Sequence, residues 1–301
     1  MQAEKVTQPS EAEPPSSAVA ASPSRDDLMT AEREETKFLL PLGRVGLMVA
    51  ELDQELPSHR FTGENANRLP DPHHFVTTVY FDTATRMQYR SAVTHVDRNV
   101  KVRGKEYYDV HPSLAEVATD PNTLLHYQPW LWFELKRREG KKTFKHRVRL
   151  PKREVPHFFQ RSMQADSLGP APLATADQEA PSHRSLALFE QFCSGLEEPL
   201  EASCIVNYRR LSWQSDDGAL RVTLDLNLAF WKPLAELWTL EEPLTPSLLG
   251  KPSARLDRAV LEVKSRGEPP AWLERALGRS AADPSRFSKF VAASRAVHGD
   301  A

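Results

Sequence analysis

A chain of 301 residues, 40% of them hydrophobic, can bury a substantial core, and its net charge of −2 argues against a general nucleic-acid binder. Its two cysteines, Cys193 and Cys204, form neither a disulfide framework nor a metal-spaced pair and fit reduced thiols in the cytoplasm. No apolar run is long enough to span a bilayer, and no basic-then-apolar leader opens the chain, so any membrane component is expected on a separate protein.

Residues 1–30 are rich in Ala, Ser, Pro and Glu with few large apolar side chains, which predicts a disordered tail. From there most of the sequence reads as strands, interrupted by three amphipathic helices. The first strand places Arg33, Glu35 and Lys37 on one face, because side chains two apart share a face. Val45, Met48, Val49, Leu52 and Leu56 then recur at helical spacing. Residues 75–82 form a strand with Tyr80 and Asp82 on one face. Lys101, Arg103, Lys105 and Tyr107 share the next polar face, opposite Val100 and Val102. Glu134, Lys136 and Arg138 oppose Leu131, Phe133 and Leu135; Lys145, Arg147 and Arg149 oppose Phe144, Val148 and Leu150. Residues 162–182 repeat the poor composition of the tail and read as a surface insertion. A helix over 184–193 follows, carrying Leu186, Leu188, Phe189 and Phe192. Tyr208, Arg210 and Ser212 mark the sixth strand, and Arg221, Thr223 and Asp225 the seventh. Glu262 and Lys264, opposite Leu261 and Val263, mark the eighth. A last helix runs from Pro270 through Leu277, with Gly278 just past its end.

A single strand with alternating charge is usually a solvated sheet face. Strand after strand with the same basic bias is different, because a flat sheet carrying it would repel itself unless an anion neutralised it. The reading is therefore α+β: an antiparallel eight-stranded β-barrel tunnel with a charged, basic bore, flanked by helices on its apolar outer face.

Other constellations say less. Asp71-Pro72-His73-His74 is a plain loop, since neighbours on a Pro-containing loop rarely share a coordination sphere. Glu35 and Glu134 are either ion-pair partners of the basic bore or metal ligands. For Glu262, divalent-metal binding is the favoured reading, because phosphoryl transfer generally needs a hard cation held by carboxylates. Tyr107 and Tyr208 either hydrogen-bond phosphate or pack the rim. Arg286-Phe287-Ser288-Lys289-Phe290 reads as a helix start capped by Ser285 or Ser288. Glycine-rich phosphate loops, dinucleotide fingerprints, nucleophile elbows and H-E-x-x-H motifs do not occur.

In order along the chain, Arg33-x-Glu35-x-Lys37-Phe38, Thr78-Val79-Tyr80-Phe81-Asp82-Thr83, Lys101-x-Arg103-x-Lys105-x-Tyr107 and Phe133-Glu134-Leu135-Lys136 resemble the VTC polyphosphate polymerase domain. Lys145-His146-Arg147, Tyr208-x-Arg210, Arg221-x-Thr223-x-Asp225, Leu261-Glu262-Val263-Lys264 and Phe287-Ser288-Lys289-Phe290 continue the pattern across residues 31–293, leaving 294–301 as a tail. The family belongs to the triphosphate tunnel metalloenzymes, also called CYTH-like. The resemblance implies transfer of the γ-phosphate of ATP onto polyphosphate with Mn²⁺ or Mg²⁺, inorganic phosphate being the simplest acceptor. Carried over by position, Lys37, Arg103, Lys136, Arg147, Arg221 and Lys289 would act on the transferred phosphate. Arg33, Lys101, Lys105, Tyr107, Lys145, Tyr208, Arg210, Lys264 and Ser288 would bind substrate, and Glu262 with Glu134 the metal. Hydrolytic cousins open with Glu-x-Glu-x-Lys, so Arg33 at the first of these positions leans toward the polymerase branch. Lys105 stands where the family often has Arg, which loses bidentate geometry. The inositol-phosphate-sensing domain and membrane helices of the eukaryotic polymerases are missing from this sequence. A hydrolase with water as acceptor, or a non-catalytic polyphosphate- or nucleotide-binding module, would use the same bore.

Overall fold

A computed structural model describes residues 34–59, 74–108, 130–140, 142–163 and 180–299. The chain divides into residues 1–31 and 32–301, and everything described belongs to the second unit. The tail expected over 1–30, Arg33, the Asp71-Pro72-His73 loop and most of the expected insertion (164–179) lie outside the described residues.

In chain order the elements are β1 (Glu34–Pro41), α1 (Val45–Glu55), β2 (His74–Asp82), α2 (Met87–Thr94), β3 (Arg98–Tyr108), β4 (Trp130–Glu139), β5 (Lys142–Pro151), α3 (Val155–Met163) and α4 (Ala180–Ser194). Then come β6 (Glu201–Gln214), β7 (Leu220–Trp231), α5 (Pro246–Leu249), β8 (Ala254–Arg255), β9 (Arg258–Ser265), α6 (Ala271–Arg279), β10 (Asp283–Pro284) and α7 (Lys289–His298). All eight strands expected from alternation are present, joined by the two-residue strands β8 and β10. The domain end expected at 293 falls inside α7, where Ser294 is buried.

The strands form one antiparallel sheet in the order β10-β1-β9-β7-β6-β2-β3-β4-β5, with β8 on β7. This corrects the closed eight-stranded barrel: the ladder does not join β5 to β1. The reason is a competing partner. The far edge of β1 is taken by the segment leading to α7, where Phe38 pairs with Pro284, Leu39 with Asp283, and Ser285 donates its N–H to Lys37 O at 2.8 Å. The sheet nonetheless curls far enough for side chains to meet: Lys136 Nζ of β4 lies 3.8 Å from Glu35 Oε2 of β1, six strands away in the order.

The outer face carries two apolar clusters. Val102, Leu131, Phe133, Leu135, Val148 and Leu150 pack under Phe158 and Phe159 of α3 and Phe189 of α4. Gly104 allows this closeness, since a Cβ there would meet Leu131 Cδ1 at 3.3 Å. Leu211, Trp213, Val222, Leu224, Leu261 and Val263 pack under Met48 and Leu52 of α1 and Leu273 and Ala276 of α6. The apolar spacing that predicts α1 is thus the stripe it buries.

A third cluster sits on the inner face. Val76, Tyr80, Cys204, Val206, Leu228, Phe230 and Val260 receive Phe290 and Ala293 of α7. In β7 this needs a bulge: Arg209 pairs with Leu226 but Asn207 with Ala229, and Asn227 adopts φ 56°. Asn tolerates the left-handed region better than most residues. The extra residue lets Asp225 and Leu228 both face inward, so one strand contributes to the charged half and to the apolar half.

Beneath the sheet, Glu106 is fully buried and binds Lys152 Nζ at 2.5 Å and the N–H of Leu244 at 2.9 Å. Lys152 also donates to Glu242 O at 2.6 Å. Removing the ammonium leaves a buried carboxylate uncompensated. Lys152→Ala is therefore expected to lower unfolding free energy by about 3–5 kcal/mol in a denaturant titration, and a change near zero would refute the pair's structural role.

Candidate functional site

The inner face gathers a cavity lined by Glu35 and Lys37 of β1, Tyr80 of β2, Lys101, Arg103 and Lys105 of β3, and Lys136 of β4. Tyr208 and Arg210 of β6, Glu262 and Lys264 of β9, and Ser288 and Lys289 at the start of α7 complete it. It offers about 90 Å³, roughly six or more water-sized positions, a narrow space that suits a short linear chain of groups. Eight of the thirteen lining residues are Lys or Arg, against two carboxylates.

Four carboxylates organise these cations. Glu134 is fully buried: Oε2 accepts from Arg103 Nε at 2.7 Å, and Oε1 accepts from Arg147 Nε at 2.9 Å and from its NH2. Lys105 Nζ adds a contact at 3.8 Å. Asp225, equally buried, takes a two-pronged pair from Arg210 at 2.6 and 2.7 Å and Lys289 Nζ at 2.6 Å. Glu262 accepts from Lys289 Nζ at 3.1 Å, with Arg210 3.9 Å from its second oxygen. At the more open end, Glu35 faces Lys37, Lys264 and Lys136 at 3.3, 3.6 and 3.8 Å. Burial alone would raise the Glu134 and Glu262 carboxyls, but Arg103, Lys105 and Arg147 around the first, and Lys289, Lys37 and Arg210 around the second, hold both well below the usual carboxylate range.

The lysines held less tightly by carboxylates are pushed toward their neutral form instead. Burial, and next the charge of Lys37, pulls Lys101 down to about 7. Burial brings Lys136 to about 8 although Glu35 resists, and burial with Arg147 brings Lys145 to about 8. Lys289 shows the contrast: burial opposes its charge, but Asp225 and Glu262 raise it above an ordinary lysine.

Most of the expected site residues converge here. Lys37, Lys101, Arg103, Lys105, Lys136, Tyr208, Arg210, Glu262, Lys264, Ser288 and Lys289 line the cavity. Arg147 joins it through Glu134, and Lys145 lies opposite Lys136 across β4 and β5. Tyr107 lies beside the cavity with Lys105 Nζ 6.0 Å from its ring centroid. Tyr208 packs rather than reaching out: Arg210 and Lys289 sit 5.3 and 5.1 Å from its ring centroid. Arg221, opposite Lys264, shares the face of Asp225 beyond the cavity lining. Ser288 caps α7 by accepting from the N–H of Val291 and also accepts from Lys101 Nζ at 3.1 Å. Two residues went unassigned in the sequence. Tyr80 lines the cavity, and the 75–82 alternation had placed it on a polar face. Asp225 stood on a basic face with no role given, although an acid among cations was its signal. Asp82, on the face of Tyr80, instead caps α2, accepting from the N–H groups of Gln88 at 2.8 Å and Tyr89 at 2.9 Å.

The VTC domain model matches residues 32–298. The chain belongs to the VTC domain family. Comparison with curated proteins found no match. Among solved structures, a candidate adenylate cyclase from Bacillus halodurans aligns at 10% identity and TM-score 0.44, covering 85% of this chain and 93% of that one. A candidate adenylate cyclase from Vibrio parahaemolyticus aligns at 8% identity and TM-score 0.36, covering 85% and 95%. A chain of the Schizosaccharomyces pombe Mediator head module aligns at 11% and 0.34, covering 82% and 90%. No helix among the described residues of this VTC domain is long and apolar enough to cross a membrane.

Two predictions follow from these charges. Replacing Glu134 by Gln leaves Arg103 and Arg147 facing each other without their shared counter-ion, and breaking such a pair costs about 3–5 kcal/mol. The melting temperature is expected to fall, and tripolyphosphate is expected to raise it by more in Glu134→Gln than in the unaltered protein. Equal ligand-induced shifts would rule out the counter-ion role.

Lys101, Lys136 and Lys145 are depressed in the folded protein, so between about 7 and their ordinary values near 10.5 the unfolded chain binds more protons. Their share of stability therefore rises with pH over that window. A polyanion needs the charged forms and takes up protons as it binds. From pH 7 to pH 9 the ligand-free domain should thus lose no stability through these lysines while its affinity for an ATP analogue falls. Calorimetry in buffers of different ionisation enthalpy reads the proton uptake; zero uptake at pH 8 contradicts it.

Proposed function

We propose that this VTC domain is a phosphotransferase that moves the γ-phosphate of ATP onto a polyphosphate chain held in the same cavity. The observation that carries the reading is convergence: cations from β1, β3, β4, β6, β9 and α7, far apart in sequence, surround one narrow space. Buried carboxylates fix several of them before any ligand arrives. Such preorganised charge acts where charge develops in a transferring phosphoryl group, so catalysis is chiefly positioning and electrostatics. The two-pronged hold of Asp225 on Arg210 and the hold of Glu134 on Arg103 and Arg147 aim guanidinium groups rather than leave them to sample rotamers. An acceptor phosphate is already an anionic nucleophile, so no general base has to be supplied. A cytoplasmic setting, where ATP is plentiful, fits two unpaired, buried cysteines.

The donor set suits Mg²⁺ or Mn²⁺ held in part by the substrate. No group of three His, Cys, Asp or Glu among the described residues is arranged to bind a metal. Glu134 and Asp225 are fully buried and closely hydrogen-bonded by cations on both oxygens, whereas Glu262 and Glu35 are 12% and 28% exposed and hold their cations at 3.1 Å or more, which leaves them as the more open carboxylates. Glu262 pairs with Lys37 and Glu35 with Lys264, so the two acids are diagonal neighbours on adjacent strands, within about 7–8 Å. One or two carboxylates with phosphate oxygens and water is the usual environment of Mg²⁺. Glu262 and Glu35 would hold the ion, which would supply positive charge to offset that of the phosphates.

Incubation with ATP and Mn²⁺, with products resolved on a polyphosphate gel, tests the reading. A ladder of polymer with release of ADP is expected. Release of inorganic phosphate without polymer would replace transfer by hydrolysis, and no turnover at all would leave a binding module. Glu262→Ala is expected to abolish metal-dependent turnover while holding tripolyphosphate as tightly or more tightly, since it removes an anion from a cationic cavity. Full activity of the variant across a metal titration would remove Glu262 from that role.

A further inference from the structure

We propose that Trp132 is the platform on which the base of the donor nucleotide stacks, so that the site selects a nucleoside triphosphate over a bare phosphate chain. This rests on the cavity being a triphosphate site, as proposed above. Alternation along β4 puts Trp132 on the face of Glu134 and Lys136, and pairing sets it opposite Lys105 of β3 and Arg149 of β5. It is therefore an inner-face residue beside the cationic cavity, on the end of β4 away from Lys136.

Three features separate it from a wall residue. First, 36% of it is exposed, whereas Trp213 and Trp231 are buried and donate their indole N–H to Asp53 Oδ1 and Gly250 O. Second, its ring is already held on one side, with the Arg147 guanidinium 5.0 Å from the ring centroid and Arg147 in turn fixed by Glu134. A ring braced on one side and still partly exposed gives up little freedom when a second flat group stacks on it. Third, its spacing fits. Lys136 and Trp132 are four residues apart on one strand, about 13 Å at the rise of a β-strand, the order of the reach from terminal phosphate to base in an extended nucleotide. Phosphate oxygens gain nothing from an indole face. A base gains stacking that tolerates any base identity, and the neighbouring guanidinium strengthens it.

The opposing account is that Trp132 only props Arg147. Binding of a non-hydrolysable ATP analogue and of inorganic tripolyphosphate, measured by calorimetry on the full chain and its variants, separates the two. Trp132→Ala and Trp132→Leu are expected to weaken the ATP analogue roughly ten- to a hundred-fold and to leave tripolyphosphate within about two-fold, while Trp132→Phe recovers most of the loss. Equal weakening of both ligands, or no change in either, overturns the proposal and leaves the triphosphate reading intact. Failure of the unaltered protein to bind either ligand overturns both.

Discussion

Like charges crowded on one concave face are the constraint that the rest of this structure answers. Without partners, the cations of β1, β3, β4, β6 and β9 would repel one another across a space too narrow for much water. Glu134 and Asp225 answer this from full burial, each holding two or three cations, and Glu262 and Glu35 do so nearer the opening. Buried ion pairs of this kind add little net stability, because desolvation of the charges consumes most of their attraction. What they supply is position: guanidinium groups fixed before a polyanion arrives need no rearrangement afterwards. The stability that allows such a site comes from the outer face, where two apolar clusters lie under α1, α3, α4 and α6.

The sheet curls without closing its ladder because the edge of β1 is already taken. A closed barrel would need β5 to pair along β1. The edge of β1 is instead given to residues 283–285, which pair through backbone and turn the chain into the concavity. The inner face is then divided. One half is basic; the other is apolar and is covered by Phe290 and Ala293 of α7. The bulge at Asn227 marks the division in β7, keeping Asp225 inward on one side and Leu228 inward on the other.

Much of this was legible in the sequence because a strand's two faces can be read from every second residue. Lys101, Arg103 and Lys105 had to share a face with one another, and so did Glu134 and Lys136, whatever the topology. The helix over 45–56 was equally legible, since Met48 and Leu52 recur at the spacing that buries them. What alternation does not carry is how far a sheet closes, because that depends on which segment wins the free edge of β1. It also hides the α7 dock: Phe290 and Ala293 are ordinary helix residues until Val76, Cys204 and Phe230 are seen to face inward. Helix α2 was missed because its signal is a cap rather than a stripe, with Asp82 accepting from the N–H groups of Gln88 and Tyr89. Asp225 lost its role for a related reason. An acid on a basic strand reads the same whether it faces a metal, a ligand or an arginine, and only distance decides.

Lys289 ties these threads together. It stands at the first turn of α7 and is 252 residues from Lys37, yet both line one cavity. Lys37 Nζ lies 3.4 Å from Phe287 O, and Lys101 Nζ donates to Ser288 Oγ, so cations from β1 and β3 bracket the start of this helix. Its ammonium bridges Asp225 of β7 and Glu262 of β9. A buried lysine is costly unless paired, and these carboxylates are paired in part by it. Docking of α7 and completion of the charged site are therefore one event: Phe290 supplies apolar burial for the helix, and Lys289 adds a second cation to the one that Arg210 already gives Asp225 and Glu262. A long loop must close before either contact forms, so the site is expected to be assembled late in folding.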